Sequence, residues 1–103
     1  MPTDIDADKM EEIQNSEETW VIDFWADWCK PCEKYAPIFE EVAGEMDEVN
    51  FGKVDMEEHS SIGQQLGVRA LPTTVIVKGG EEVSRNAGII QADELESWVQ
   101  ENA

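Results

Sequence analysis

Two cysteines separated by two residues constrain most strongly what this chain can fold into. They are Cys29 and Cys32, and they follow the apolar run Trp20–Ala26. An apolar run of this length is typical of a buried strand, and the apolar spacing after the cysteines predicts a helix. A helix N-terminus carries unpaired N–H groups and a partial positive charge, which stabilise a thiolate. The pattern therefore predicts redox chemistry, with a nucleophilic first cysteine and a second that closes a small disulfide ring.

The length of 103 residues predicts a single domain over residues 1–103, with a core that needs no structural disulfide or metal. No stretch approaches the roughly 18 apolar residues of a membrane span, and the N-terminus lacks a basic and then apolar signal region. We therefore expect a cytoplasmic protein with no membrane partner. Thiols are kept reduced in the cytoplasm, where a CxxC pair is more often catalytic or metal-binding than structural.

The chain is strongly acidic, with seven Lys and Arg against 24 Asp and Glu and a net charge of −17. The acids are spread from Asp4 to Glu101. Such a field repels nucleic acid and anionic membranes, so neither is an expected partner. Two interpretations remain: attraction of basic partners, or adaptation to a cytoplasm near molar salt. We favour the halophilic interpretation, because dispersed acids suit general solvation better than one docking patch.

The apolar pattern predicts helices over 7–15, 29–46, 60–66 and 93–101, and strands over 20–26, 49–55, 73–78 and 81–86. Pro37 lies inside the second helix and predicts a kink. Gly79-Gly80 predicts a hairpin between the last two strands. The first half is a βαβ unit with a right-handed crossover, so the predicted fold class is α/β, a mixed sheet between helices.

This order of elements and motifs resembles the thioredoxin family from about Trp20 to the C-terminus. The resemblance rests on DFWADWCKPC at 23–32, Pro37, KVD at 53–55, GVRALPT at 67–73 and Gly88. It implies the thioredoxin fold, a central mixed four- to five-stranded sheet flanked by helices on both faces. The stretch before Trp20 is short for a thioredoxin, so we expect the usual first edge strand to be missing or reduced. The sequence is compatible with a sheet of four or of five strands.

The resemblance also implies the activity of a thiol-disulfide oxidoreductase. Cys29 attacks a substrate disulfide, and Cys32, expected to lie deeper, attacks Cys29 and releases the reduced substrate. Asp23 is an acid in an apolar strand, so its pKa is expected to be raised. In thioredoxins the matching Asp assists proton transfer at the buried cysteine, and the Lys matching Lys53 lies near it. The alternative for Asp23 is a hydrogen bond to a neighbouring strand or helix.

Further residues are expected on the substrate-facing surface. Without the resemblance, the position of Pro72 predicts an ordinary proline at the first residue of a strand. The resemblance implies instead a cis proline that faces the disulfide, with the backbone of Leu71 free to pair with a substrate strand. Gly88 matches a thioredoxin glycine on that surface. Trp28 is expected to be exposed beside the first cysteine, and Trp25 to pack in the core.

The pair between the cysteines is Lys30-Pro31, where thioredoxins usually carry Gly-Pro. Lys30 favours the Cys29 thiolate, whereas Glu33 and the net charge of −17 oppose it, so the net shift stays open. No histidine separates the cysteines, as it does in strongly oxidising or isomerising relatives. We therefore expect a reductant, with a potential on the order of −270 mV rather than about −120 to −180 mV.

The implied partners are a thioredoxin reductase or an equivalent electron donor and disulfide-containing protein substrates, with the chain a monomer. The redox-active Cys29–Cys32 disulfide needs no cofactor. Two alternatives are a dithiol metal-binding module and an interaction subunit without turnover. Zinc requires four ligands, and Cys29, Cys32 and His59 supply at most three, so no metal site is expected. Copurifying zinc would indicate the first alternative, and a failure to cycle with a reductase the second.

Overall fold

Five strands form one mixed sheet in the computed structural model, which describes all 103 residues. They are β1 (Thr3–Asp4), β2 (Thr19–Trp25), β3 (Asn50–Asp55), β4 (Thr73–Lys78) and β5 (Glu81–Ala87), in the spatial order β1-β3-β2-β4-β5. β3 pairs in parallel with β1 and β2, whereas β4 pairs antiparallel with β2 and β5. The first edge strand is therefore present, reduced to two residues, and the sheet has five strands.

Four helices cover the sheet: α1 (Ala7–Gln14), α2 (Lys30–Glu45), α3 (Ser60–Gln65) and α4 (Ala92–Asn102). Every bound of a helix or of β2 to β5 lies within one residue of its prediction. α2 continues as one helix through Pro37, and a kink at this residue stays a prediction. None of the four helices has the length and apolar content that a membrane crossing requires.

The helices lie on both faces of the sheet, each over its own apolar core. Ile22 and Phe24 of β2 pack in the core that α1 and α3 close, whereas Val21 packs in the core that α2 and α4 close. Side chains along a strand alternate between faces. Asp23, which shares the parity of Val21, therefore faces α2.

The antiparallel pairing of β2 and β4 determines where the functional residues meet. The register places Phe24 opposite Thr73, so the last residues of β2 lie beside the first residues of β4. The segment after β2 carries the cysteines, and Pro72 immediately precedes β4. Both therefore reach the same end of the sheet.

Candidate active site

The cysteine pair forms the first turn of α2. Cys29 is the N-cap residue, with φ −92° and ψ 107°, and its Sγ accepts a hydrogen bond from the Cys32 N–H at 3.2 Å. Pro31 lies in the first turn, where a missing N–H removes no helical hydrogen bond. Cys29 and Cys32 form a disulfide with Cα atoms 5.2 Å apart. The structure thus holds the oxidised form of the pair.

Burial does not distinguish the two cysteines, since Cys29 is 5% and Cys32 is 4% exposed. The expectation that Cys32 lies deeper therefore stays a prediction, because the two exposed fractions in the oxidised form differ by only one per cent. Their surroundings do differ. Cys32 lines a cavity that reaches Asp23, and Trp28, the neighbour of Cys29, is 69% exposed, as expected.

A cavity of about 150 Å³ brings Cys32 together with Asp23 and Lys53. Asp23 lies on β2, paired in register with Lys53 of β3 on one side and Thr74 of β4 on the other. It is 1% exposed, and its Oδ1 has no hydrogen-bond partner. The alternative role of Asp23 was a hydrogen bond to a neighbouring strand or helix, and Oδ1 makes no such bond.

Burial raises the pKa of Asp23 from 3.8 to about 7, and the charge of Lys53 limits the rise. Desolvation disfavours the carboxylate, whereas a nearby cation favours it. A carboxyl group that titrates near neutrality can both accept and return a proton at physiological pH. The raised pKa expected for Asp23 agrees with its burial.

Trp25 does not pack in either main core, and the expectation that it does is wrong. It ends β2, where it is half-buried against the cluster formed by Ala26 and the two cysteines. Its Nε1 is buried without an acceptor, and Lys53 Nζ lies 5.0 Å from the centre of its ring. Trp25 and Lys53 line both the Asp23 cavity and a second cavity of about 230 Å³.

The segment before β4 lies against the disulfide. The Leu71–Pro72 peptide bond is cis, as the resemblance implies, and Leu71 packs against the cysteine cluster. The carbonyl oxygen of Pro72 accepts a hydrogen bond from the Gly88 N–H at 2.8 Å. Gly88 has φ 97°, a left-handed conformation that favours glycine. These three residues thus lie together at the end of the sheet where α2 begins.

The predicted site residues therefore form two connected groups. Asp23, Lys53 and Cys32 line the cavity. The other group combines the start of α2 with the segment before β4, and it consists of Cys29, Trp28, Lys30, Pro31, Leu71, Pro72 and Gly88. Lys30 and Pro31 are exposed in the first turn of α2.

One polar pair near the site was missed from the sequence. Tyr35 Oη and Thr74 Oγ1 lie 2.8 Å apart and are buried. Tyr35 belongs to the apolar stripe of α2 and Thr74 to an apolar strand, so each reads as an ordinary core position. The one available indication was that both residues carry a hydroxyl, and a buried hydroxyl usually finds a partner.

The thioredoxin family model matches residues 4–101 of the chain. The chain belongs to the thioredoxin family. Two curated relatives are the thioredoxin of Malassezia sympodialis, 40% identical over 83 residues and 79% of each chain, and that of Rickettsia bellii (strain RML369-C), 33% identical over 93 residues and 89% of each chain. The X-ray structure of Fasciola hepatica thioredoxin superposes with a TM-score of 0.89 at 33% identity and full coverage of both chains.

Family membership together with the Cys29–Cys32 disulfide makes the chain a thiol-disulfide oxidoreductase. Thioredoxins work through a redox-active disulfide and need no cofactor. The interpretations as a dithiol metal module and as a subunit without turnover are not favoured by these relatives.

Proposed function

We propose that this protein reduces disulfides in target proteins and is itself reduced again by a thioredoxin reductase or an equivalent electron donor. The observation that carries the proposal is a disulfide at the start of α2, beside a 69% exposed tryptophan, Trp28. An exposed aromatic ring next to a reactive sulfur provides apolar contact area for a protein substrate. A CxxC pair held at a helix N-terminus supplies the nucleophile.

The first step forms a mixed disulfide. The Cys29 thiolate attacks one sulfur of the substrate disulfide, a bond forms between that sulfur and Cys29 Sγ, and the substrate S–S bond breaks. The departing substrate sulfur leaves as a thiolate and takes a proton from water. The unpaired N–H groups at the start of α2 stabilise the Cys29 thiolate before the attack.

The second step releases the substrate. Cys32 gives its proton to the Asp23 carboxylate, and Cys32 Sγ attacks Cys29 Sγ, which breaks the mixed disulfide and restores the internal one. The second substrate sulfur leaves as a thiolate and takes a proton from water. Two electrons have then moved from the cysteine pair to the substrate, which is released as a dithiol. Asp23 suits this role because its pKa of about 7 leaves it partly ionised at neutral pH. Lys53 supports the ionised form.

The substrate-facing surface in this proposal consists of Trp28, the Lys30-Pro31 pair, Leu71 and Gly88. Leu71 contacts the cysteine cluster directly and precedes the buried Pro72. Its backbone can pair with an extended substrate strand that places a disulfide over Cys29. Lys30 is exposed and positive, so it offers contact to acidic residues next to the substrate disulfide.

The setting proposed for this activity is a cytoplasm near molar salt, where the chain works as a monomer. The net charge of −17 supports this proposal, because dispersed carboxylates keep a protein solvated when salt competes for water. The interpretation as a protein that recruits basic partners is the competing one, and the salt experiment in the Discussion separates the two.

Single-cysteine variants test the assigned roles. Cys29→Ser should abolish dithiol-driven reduction of a protein disulfide, because no nucleophile remains. Cys32→Ser should instead accumulate mixed disulfides with target proteins, which non-reducing gels resolve, since the resolving thiol is gone. The Cys29→Ser/Cys32→Ser double variant is the control and should trap nothing. Trapping by Cys29→Ser would reverse the assignment of the two cysteines.

A further inference from the structure

Tyr35 and Thr74 form a buried hydroxyl pair that the disulfide chemistry does not use. Tyr35 Oη and Thr74 Oγ1 lie 2.8 Å apart, and both side chains are fully buried. Tyr35 follows Cys32 by about one turn of α2. Thr74 is the residue directly opposite Asp23 in the β2–β4 ladder. The pair thus connects the helix that carries Cys32 to the strand beside the buried acid.

The hydrogen bonds of this region leave one donor and one acceptor unused. Two hydroxyl groups carry two protons, but the Tyr35–Thr74 contact uses only one of them. The protein has one buried side-chain oxygen without a donor, and it is Asp23 Oδ1. Residues that face each other across antiparallel strands have Cβ atoms about 5 Å apart. The Thr74 hydroxyl and the unpaired oxygen therefore lie on the same face of neighbouring strands, and no hydrogen bond joins them in this structure.

Few other groups can set the charge state of Asp23. On this face β4 presents Thr74, the apolar Ile76 and, at its far end, the exposed Lys78. α4 presents the apolar Leu95 and Val99. The titratable groups that face Asp23 are Lys53 on β3, Asp27 after β2, and Cys32, Glu33 and Tyr35 on α2. Asp27 and Glu33 are exposed to solvent, which screens them. Burial raises the pKa of Tyr35, the hydrogen bond to Thr74 lowers it, and the charge of Asp23 raises it further, so the two sites are coupled.

We propose that the Tyr35–Thr74 pair sets the proton equilibrium of Asp23: when Asp23 ionises, its side chain moves within hydrogen-bond distance of the pair, and Oδ1 accepts a hydrogen bond from the unused hydroxyl. The hydrogen bond stabilises the carboxylate at the stage when it must accept the Cys32 proton. This inference rests on the proposed role of Asp23 as that acceptor. Tyr35 and Thr74 contact neither substrate nor sulfur in this scheme and act as positioning residues.

The oxidised protein provides the direct test, because it has no titrating thiol. Asp23 is followed by carboxyl ¹³C NMR as the pH is varied. The Tyr35→Phe/Thr74→Val variant, which removes both hydroxyls and little volume, should raise the midpoint of Asp23 by about one pH unit, the size of one hydrogen bond to a carboxylate. Tyr35→Phe alone should not raise it, since the Thr74 hydroxyl then has only Asp23 as a partner. If the double variant does not fold, Thr74→Val replaces it with the same expected direction.

Two matched variants separate this role from packing. Thr74→Ser keeps the hydroxyl and should keep the Asp23 midpoint. Ser84→Ala removes a 3.0 Å hydrogen bond to Trp98 Nε1 on the same face of the sheet and should leave the midpoint unchanged. An unshifted midpoint in the double variant overturns the proposal. A rise in Tyr35→Phe equal to that of the double variant overturns it too, because a remaining Thr74 hydroxyl should suffice.

The pH profile of disulfide reduction separates this inference from the proposed function. In the double variant the profile should move to higher pH by the shift seen for Asp23, with the rate at high pH retained. If the Asp23 midpoint moves but the profile does not, the hydroxyl pair controls Asp23 as inferred, and the role of Asp23 as the proton acceptor fails. If neither moves, the inference itself fails.

Discussion

Asp23 links the protonation of one side chain to the stability of the whole fold. Its pKa is raised from 3.8 to about 7 in the folded protein, mainly by burial. Between these values the unfolded chain has lost the proton while the folded chain keeps it. The folded state therefore binds more protons in this window, and its stability falls as the pH rises from about 4 to about 7. Above that window the loss is complete and constant.

Asp23→Asn should remove this pH-dependent loss. We expect the variant to be more stable than the wild type by an amount that grows from near zero at pH 3 to about 4 kcal/mol above pH 8. Urea unfolding at a series of pH values measures the difference. Asp27→Asn, an exposed acid of the same cavity, is the control and should show no such trend. A stability gain that is independent of pH would exclude a raised pKa as its cause.

The sequence predicted which residues belong to the site better than it predicted the contacts between them. Asp23 stands out in the sequence because it is the one acid inside the apolar run Trp20–Ala26. Burying an unpaired charge destabilises the fold, so an acid at this position indicates a functional role. The sequence could not place Trp25, because its position at the end of β2 decides between the core and the cavity. The Tyr35–Thr74 contact was equally hidden, since it depends on how α2 packs across the register of β2 and β4.

The β4–β5 hairpin shows how one turn is held against a neighbouring helix. Gly79 and Gly80 have φ 61° and 84°, as a two-residue hairpin turn requires. A Cβ on Gly80 would lie 2.2 Å from the carbonyl oxygen of Gln14, the last residue of α1, whereas a Cβ on Gly79 would meet nothing within 4 Å. Of the two turn glycines, only Gly80 thus lies tightly against the end of α1.

Gly80→Ala should therefore cost more stability than Gly79→Ala. Both substitutions place a Cβ in the left-handed region, at about 1–2 kcal/mol each. Gly80→Ala must also displace a helix terminus, which adds about 1–3 kcal/mol. The two unfolding midpoints in urea measure the difference, and Gly79→Ala serves as the matched control. Equal losses in the two variants would show that α1 moves aside freely.

Most elements were predictable because each carries enough apolar residues to show its period. β1 was not, since two residues show no period. Its presence depends on tertiary contacts: Thr3 pairs with Gly52, and the fully buried Ile5 fits against the same glycine, where a Cβ would lie 2.3 Å from the Ile5 side chain. The sequence shows a glycine in β3 but not what approaches it.

At the scale of the whole molecule the acids outnumber the bases more than three to one, with 24 against seven. The side-chain ion pairs are Lys9–Glu12, Arg85–Glu82 and, when the histidine is protonated, His59–Glu58. Most carboxylates thus have no basic side chain within pairing distance. In dilute buffer their mutual repulsion opposes the compact state.

Salt should stabilise the protein strongly. The screening length falls from about 10 Å at 0.1 M to about 3 Å at 1 M, so the urea midpoint should rise steeply over this range and more slowly above it. Tryptophan fluorescence follows the unfolding. At low salt, a pH near the sequence pI of about 4.1 should reproduce part of the gain, because protonated acids no longer repel. Disulfide reduction should persist in molar salt. A flat midpoint would favour the interpretation that the acids recruit basic partners.

The β-bulge in the β4–β5 ladder affects how readily the edge of the sheet can associate with a second molecule. Ile76 pairs with Ser84 and Val77 with Glu82, so Val83 has no partner and its side chain is 47% exposed. The unpaired N–H and C=O groups of an edge strand can pair with a second chain, which extends the sheet. A bulge bends the edge strand and interrupts the regular row of groups that such pairing requires. The acids Glu81 and Glu82 protect the edge by repulsion only while salt is low. The bulge does not depend on ionic strength, so we expect it to oppose edge-to-edge association in high salt, where charge repulsion no longer acts.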